Sequence, residues 1–178
     1  MSTTKEGRRK AIYPGTFDPV TKGHVDIAMR ACRLFDEVIF AVARGFKKKT
    51  LFSDVERVSM VRHEIETLTH GGMIDEGRCV TVVSFDGLLV DFAKQQGTHT
   101  IVRGLRAISD FEYELTMASA NARLNSHIDT LFLMACEEQH FTSSRLVREI
   151  AALQGDVLPF VSSHVAMCLQ KKMAAESP

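Results

Sequence analysis

Four short segments of the sequence carry residues that could bind phosphate groups. The first contains Thr21, Gly23 and His24 at the expected start of a helix. The N–H groups of a first helical turn attract anions, a glycine lets a ligand approach the backbone, and a histidine adds a side-chain donor. A histidine in an ordinary helix N-terminus is the structural alternative. The segment lacks the spacings of a dinucleotide fingerprint and of a P-loop, which disfavours hydride transfer and P-loop ATPase chemistry.

A second candidate is a pair of arginines, Arg103 and Arg106, which straddle Gly104 and Leu105. A guanidinium group presents a rigid fork of donors that suits phosphate recognition. The alternative is a surface pair balanced by nearby acidic residues, namely Asp110, Glu112 and Glu114.

The two remaining segments are a lysine run and a serine pair. Lys47, Lys48 and Lys49 could contact an anion, and a solvated loop is their structural alternative. Ser143 and Ser144 stand at a predicted helix start, where hydroxyl groups cap the helix and N–H groups face anions. A plain N-cap is the alternative for this pair.

The elements that would position these segments alternate along the chain. Apolar runs predict strands at 10–13, 38–43, 80–85, 100–102 and 130–134. Helical patterns cover 24–35, 54–68, 88–96, 110–125, 144–153 and 161–172. Strands separated by helices imply right-handed crossovers and a parallel sheet. We therefore predict an α/β fold, a single doubly wound, Rossmann-like domain over 1–178 with a five-stranded parallel sheet, a flexible leader (1–9) and a flexible tail (174–178).

The candidate segments follow predicted strands, as a binding site requires. Ligands of such sheets bind beyond the carboxyl ends of the strands. The segments 14–24, 44–52, 103–110 and 136–145 each come directly after a strand. We expect them to meet at one edge of the sheet.

Bulk properties limit the classes of partner. The 178 residues fit one domain, and 22 basic residues balance 22 acidic ones. A nucleic-acid binder usually has a basic excess, so we expect no nucleic-acid partner. Four cysteines are scattered without a C-x-x-C pair, which favours free thiols in a reducing cytoplasm over a metal or redox site. No apolar stretch approaches the ~20 residues of a membrane span, so we expect no membrane partner.

The phosphate-binding segments also resemble a known family. YPGTFDPVTKGHVDI resembles the first motif of the nucleotidyltransferase superfamily, whose T/H-x-G-H element binds ATP phosphates. RGLR, followed by DFEYE and MASANARL, is similar to the phosphopantetheine adenylyltransferase family. QHFTSSRLVR resembles the second superfamily signature, I-S-S-T-x-x-R, except that Thr142 replaces the usual Ile and Arg145 a common small hydroxyl residue. The four motifs match in order over about 11–169.

This resemblance implies an enzyme of coenzyme A biosynthesis. Such an enzyme transfers the AMP moiety of ATP to 4′-phosphopantetheine and releases dephospho-CoA and pyrophosphate, with Mg²⁺ carried by ATP and no protein metal site. The resemblance also implies a homohexamer, with dephospho-CoA or CoA as product or inhibitor. The acceptor phosphate, with a second pKa of about 6, is already an anion and needs no general base. Two alternatives stay open: a sister nucleotidyltransferase acting on another small phosphate acceptor, and a nucleotide-binding regulator without turnover.

The resemblance further assigns roles to individual residues. The catalytic set is His24, Lys48 and Thr16. The ATP-binding set is Thr16, Phe17, His24, Gly104, Leu105, Arg106, Glu114, Gln139, His140, Phe141, Thr142, Ser143, Ser144 and Arg145. The phosphopantetheine-binding set is Thr16, Lys48, Leu89 and Arg103. Two points stay open: Lys47 or Lys49 could take the place of Lys48, and Arg145 could pair with Glu149 instead of reaching the triphosphate.

Overall fold

Strands and helices alternate through a computed structural model that describes residues 8–44, 50–75, 78–106, 108–139 and 141–176. The strands are β1 (Lys10–Gly15), β2 (Glu37–Ala43), β3 (Cys79–Phe85), β4 (Thr100–Leu105) and β5 (Asp129–Met134). The helices are α1 (Lys22–Leu34), α2 (Asp54–His70), α3 (Leu89–Gln95), α4 (Ile108–Leu124), α5 (Ser144–Ala152) and α6 (Ser163–Glu176). A short 3₁₀ turn, Glu137–Gln139, precedes α5.

The five strands form one parallel sheet in the order β3-β2-β1-β4-β5. From β1 the chain winds outward through β2 to β3, and it then crosses back to build β4 and β5 on the other side. This order confirms the predicted doubly wound α/β fold. It also places the topological switch point, where ligands bind in such sheets, between β1 and β4.

Both faces of the sheet are covered, which explains the almost continuous apolar strands. Successive side chains of a strand point to opposite faces. In β1, Ala11 and Tyr13 belong to the larger core cluster, which includes residues of α1, α2 and α6. Ile12 belongs to the smaller cluster, with Val90 and Phe92 of α3. Strands buried on both faces lose the polar alternation of a half-exposed sheet.

The fourth strand is longer than its apolar run indicates. We predicted that it ends at Val102, but β4 continues to Leu105. The ladder with β5 runs on through Arg103, Gly104 and Leu105, which is paired with Met134. Backbone pairing therefore extends β4 beyond its apolar residues. Arg103 lies among the last paired residues of this strand, and not in the loop that follows it.

Both predicted flexible ends include residues that the structure describes. Arg9, within the predicted leader, donates from its backbone N–H to Asp36 at 2.9 Å. At the other end, α6 continues to Glu176, into the predicted tail. Residues 1–7 and 177–178 lie outside the described part. Among the described helices, none is long and apolar enough to cross a membrane.

Candidate active site

A polar cleft of about 510 Å³ lies at the switch point between β1 and β4. It brings together residues of all four predicted segments, the second of them through Thr50. Its walls include Thr16, Phe17, His24, Arg103, Gly104, Arg106, Glu114, Ser143, Ser144 and Arg145. The expectation that these segments meet at one sheet edge is confirmed.

A second, mainly apolar cavity of about 370 Å³ adjoins this cleft. Its walls include Leu89, Tyr113, Met117 and Leu124. The two cavities share five residues: Pro14, Gly15, Thr16, Arg103 and Glu114. A ligand with a charged end and an apolar arm could therefore lie across both, with Thr16 and Arg103 at the junction.

Hydrogen bonds determine which nitrogen of His24 carries the proton. The Thr21 backbone N–H donates to His24 Nδ1 at 3.0 Å, and Thr21 Oγ1 lies 2.9 Å from the same nitrogen. Because a backbone N–H can only donate, Nδ1 is unprotonated, and in a neutral ring the proton must be on Nε2. His24 also packs edge-on against Phe17, with ring centroids 5.1 Å apart.

The surroundings keep His24 uncharged. Burial, together with the positive charges of Arg106 and Arg103, lowers the pKa of His24 to about 3. We expected His24 to add a side-chain donor to the site. The structure supports the donor role through Nε2–H, but the positive charge must come from other groups.

The N-termini of α1 and α5 differ in the donors they offer. At α1, the Lys22 N–H donates to the Phe160 carbonyl and the His24 N–H to Thr21 Oγ1. Part of the expected anion-binding turn is therefore satisfied within the protein. At α5, Ser143 caps the Leu146 N–H at 3.1 Å. A helix's first N–H groups have no intrahelical acceptor, and the described residues supply none for Ser144 and Arg145 N–H. These two groups are therefore donors for a ligand in the cleft.

The loop after β1 is held in an uncommon conformation at Phe17. This residue has a φ of 50°, which non-glycine residues rarely adopt, and its side chain is buried. Its ring packs against Tyr13 and Phe40 with centroid distances of 5.5 and 5.6 Å. The ring also needs a glycine at 15, where an added Cβ would lie 2.7 Å from it. The Phe17 side chain thus belongs to the core, and only its backbone could serve the predicted ATP contact.

Arg103 and Glu114 form a bidentate ion pair at the junction of the cavities. Arg103 Nε and Nη2 donate to the two Glu114 carboxylate oxygens at 2.6 and 2.5 Å, and Nη1 donates to the Pro14 carbonyl at 2.6 Å. Burial would lower the Arg103 pKa, but the bonds to Glu114 outweigh it and raise that pKa. A guanidinium group has five N–H donors, so two remain for a ligand. Glu114, one of the acidic residues that we considered as balancing the arginine pair, therefore orients Arg103.

Arg106 is held in a similar way beside the cleft. Its Nε donates to Asp110 at 2.9 Å, and its Nη1 donates to the Thr142 carbonyl at 2.9 Å. The second bond ties the third segment to the fourth. The Ser144 hydroxyl donates to the Pro19 carbonyl at 2.8 Å, which ties the fourth segment to the first. The walls of the cleft are therefore joined by direct hydrogen bonds.

Asp18 and Arg148 form a buried link that sequence reasoning missed. The Asp18 carboxylate accepts the Leu51 and Phe52 N–H groups, both at 2.9 Å, and is almost fully buried. Arg148 donates to the Asp18 carbonyl and, at 3.1 Å, to its carboxylate. Arg148 occupies the arginine position of the I-S-S-T-x-x-R signature, so the motif itself could have pointed to it.

Arg57 was also missed, because nothing in its sequence context distinguishes it from an ordinary helix arginine. Its side chain is fully buried and donates to the carbonyls of Thr16, Ala43 and Phe52 at 2.6, 2.7 and 3.2 Å. It thus reaches the loop that carries Thr16 from the first turn of α2.

The other residues that we predicted to bind ATP differ in how exposed they are. Arg145 donates to Glu149 at 2.8 Å and is largely exposed, so in this structure it makes the surface pair that we considered as its alternative. Thr142 is buried, Phe141 is 83% exposed, and Gly104 and Leu105 end β4. The side chain of Gln139 is not described, and His140 and Lys47–Lys49 lie outside the described residues.

Across the described part of the chain, no group of three or more His, Cys, Asp or Glu residues could hold a metal.

Comparisons with known proteins agree with this architecture. Residues 12–150 match the cytidylyltransferase-like family model. The chain is 50% identical to the phosphopantetheine adenylyltransferase of Rhodospirillum centenum over 172 residues, which cover 96% of this chain and 91% of that protein. It is 54% identical to the phosphopantetheine adenylyltransferase of Rhodospirillum rubrum over 157 residues, 88% of each chain.

A solved structure with little sequence similarity shares the fold. The Plasmodium falciparum nicotinic acid mononucleotide adenylyltransferase superposes with a TM-score of 0.70 at 15% identity, over 93% of this chain and 96% of that one. At this identity the likeness concerns the fold alone. With the family-model match and the close relatives, the chain belongs to the cytidylyltransferase-like family and, within it, to the phosphopantetheine adenylyltransferases.

Proposed function

We propose that this chain transfers the AMP moiety of ATP to 4′-phosphopantetheine, giving dephospho-CoA and pyrophosphate. The observation that carries the proposal is the junction of a polar and an apolar cavity at Thr16 and Arg103. A nucleotide triphosphate matches the arginine-lined cleft, and the pantetheine arm matches the apolar cavity. The acceptor's phosphate would then lie at the junction, next to the α-phosphate of ATP.

The reaction needs no general base from the protein. An oxygen of the acceptor phosphate attacks the α-phosphorus, a new P–O bond forms, and the bond to the leaving pyrophosphate breaks. The nucleophile is largely a dianion at neutral pH, since the second pKa of a phosphomonoester is about 6. Catalysis then depends on bringing two polyanions together and stabilising the charge of the transition state.

The proposed roles follow from the donors that each residue has left. His24 donates from Nε2–H to the transferring phosphoryl group, and Thr16 donates at the junction. Arg103, with two N–H donors remaining, holds the acceptor phosphate. The Ser144 and Arg145 N–H groups at the start of α5 hold the leaving pyrophosphate. Lys48 contacts the reacting phosphates by resemblance alone.

Mg²⁺ is the proposed cofactor and would enter on the triphosphate. It would supply charge neutralisation there and keep several of its own waters. The described carboxylates that line the cleft are Asp18 and Glu114, and both already accept hydrogen bonds from the protein. The proposal therefore gives the ion phosphate oxygens and water as ligands, and no dedicated protein cage.

A homohexamer is part of the proposal. One observation favours self-association: α4 and the edge strand β5 expose several large apolar side chains. Outside the apolar cavity they are Phe111, Leu115, Leu131 and Met134. An uncovered edge strand beside an apolar helix is a surface that a second copy could cover.

Product inhibition and location complete the proposal. Dephospho-CoA and CoA contain the same arm as the acceptor, so both should compete with phosphopantetheine for the apolar cavity.

A cytoplasmic location is consistent with ATP as substrate and with four free thiols, at Cys32, Cys79, Cys136 and Cys168.

An acceptor screen tests the proposed function. Pyrophosphate release from ATP is measured with phosphopantetheine, nicotinamide mononucleotide and glycerol phosphate at equal concentrations. We expect phosphopantetheine to give the highest kcat/KM. Equal or faster turnover with nicotinamide mononucleotide would favour a sister enzyme, and no release with any acceptor would favour a regulator without turnover.

A further inference from the structure

Arg57 is a buried cation whose side-chain hydrogen bonds, within the described part of the chain, go to backbone carbonyls. Its side chain is among the largest fully buried ones, and burying a charge is costly unless the group is well hydrogen-bonded. The acceptors are the carbonyls of Thr16, Ala43 and Phe52. Burial lowers the Arg57 pKa, and the nearby carboxylates of Asp18 and Asp54 partly offset that effect. The guanidinium group remains charged, because an arginine pKa starts far above neutral.

The three acceptors belong to segments that are separate in sequence. Ala43 ends β2, Phe52 precedes α2, and Thr16 follows β1. Phe52 is held from both sides, since its N–H donates to Asp18 and its carbonyl accepts from Arg57. The guanidinium group therefore fixes the loop after β1 against two other segments.

Thr16 is the acceptor with a consequence for the reaction. Thr16 lines both cavities, and the next residue, Phe17, has a φ of 50° that depends on support from its surroundings. The Thr16 carbonyl and the Phe17 N–H belong to one rigid peptide plane and point in opposite directions. A strong bond at the carbonyl, 2.6 Å long, therefore fixes the orientation of the whole Thr16–Phe17 peptide.

We propose that Arg57 is a positioning residue for adenylyl transfer, because it holds the Thr16 carbonyl and so sets the orientation of Thr16 where donor and acceptor meet. The inference rests on the proposed function. A misplacement of about 1 Å in a reacting centre can lower a rate by about 10²-fold, so a residue that never touches substrate can still control kcat.

Arg57→Lys is the informative variant. Lysine keeps the charge but presents a compact ammonium in place of a planar fork, so it cannot reach three separated carbonyls in the same way. Arg62→Lys is the matched control, because Arg62 lies on the same helix and donates to the Val82 carbonyl at 3.1 Å, away from both cavities. If Arg57→Lys does not fold, Arg57→Gln, a neutral planar donor, takes its place.

A double-mutant cycle with Thr16→Val separates positioning from general stability. Coupling between two residues appears as a departure from additive effects. We expect Arg57→Lys to lower kcat by about 10-fold or more in the native background, and by less than about 3-fold when Thr16 is already Val. Arg62→Lys should leave kcat unchanged in both backgrounds. Melting temperature and far-UV circular dichroism are recorded for all variants, and kcat is compared at saturating ATP and acceptor.

The possible outcomes distinguish the two proposals. Two results would overturn the positioning role and leave the proposed function intact. One is a native kcat in a folded Arg57→Lys variant. The other is a decrease in kcat by the same factor in the native and Thr16→Val backgrounds. A native kcat in Thr16→Val would remove the proposed role of Thr16 and the inference with it. A large loss in the native background that shrinks beside Thr16→Val would support both.

Discussion

His24 is held as a neutral donor by Thr21, and this makes a testable statement about pH. Its pKa is lowered to about 3, so the ring stays uncharged as pH falls from 9 to 5. His24 should therefore add no ionisation to the kcat/KM profile in that window. Any acid limb near pH 6 should come from the acceptor phosphate.

NMR of the imidazole nitrogens measures this directly. We expect His24 to show the Nε2–H tautomer with no titration between pH 5 and 8. His24→Ala should lower kcat by about 10²–10³ and weaken ATP binding much less, because it removes a donor to the developing charge. A His24 titration near 6.5, or a near-normal kcat in His24→Ala, would contradict this assignment.

We predict that the Arg145 side chain leaves Glu149 and contacts the triphosphate when ATP binds. It pairs with Glu149 in this structure, at a surface position where such a pair contributes little stability. We predict that Arg145→Ser raises the KM for ATP several-fold, leaves the acceptor KM nearly unchanged and weakens inhibition by pyrophosphate. Glu149→Gln is the control: it releases Arg145 and should not raise the KM for ATP. Unchanged ATP and pyrophosphate affinities in Arg145→Ser, measured at low salt, would assign Arg145 to the solvated surface.

At the level of elements, Gly104 lets α1 pack closely against β4. A Cβ at this position would lie 2.9 Å from Ile27 Cγ1. Gly104→Ala should therefore lower the free energy of unfolding by about 1–3 kcal/mol through overpacking, and should shift His24 on the same helix. In an Ile27→Ala background, which removes both Cγ1 and Cδ1, the further loss from Gly104→Ala should be smaller. Denaturant unfolding measures both, and a stability of Gly104→Ala equal to that of the native protein would show that α1 moves away freely.

The elements themselves were predictable because both signals of a doubly wound fold are strong in this sequence. Buried parallel strands leave apolar runs such as Val38 to Ala43, and helices leave capping patterns such as Ser53 with Glu56, whose reciprocal cap the structure contains. The end of β4 was not predictable in this way. It depends on pairing with β5, which involves residues distant in sequence.

The sequence predicted which residues line the site better than it predicted their charge and their hydrogen-bond partners. Motif residues such as Thr16 and His24 do line the cleft. The charge of His24, by contrast, depends on burial and on two arginines distant in sequence, Arg103 in β4 and Arg106 just after it. The buried supports Asp18 and Arg57 act through backbone groups far along the chain, so the sequence did not show which groups they hold.

At the scale of the whole molecule, the apolar surface of α4 and β5 predicts self-association. Light scattering at micromolar concentration should give the mass of an oligomer, with six copies expected from the family. Leu131→Lys places a charge on the edge strand and should lower that mass, while Arg9→Gln, directly before the central strand β1, should not. A monomeric mass for the native chain would contradict this part of the account.

The central claim is that the phosphate of an acceptor with a pantetheine arm attacks the α-phosphorus of ATP. One measurement tests it most directly: ATP labelled in the α-phosphate is turned over with equal amounts of phosphopantetheine, pantetheine and nicotinamide mononucleotide in one reaction. We predict that nearly all of the label enters dephospho-CoA, and that pantetheine, which lacks the phosphate, receives none. Label found mainly in a dinucleotide with nicotinamide, or in no acceptor while the enzyme is folded and binds ATP, would contradict the account.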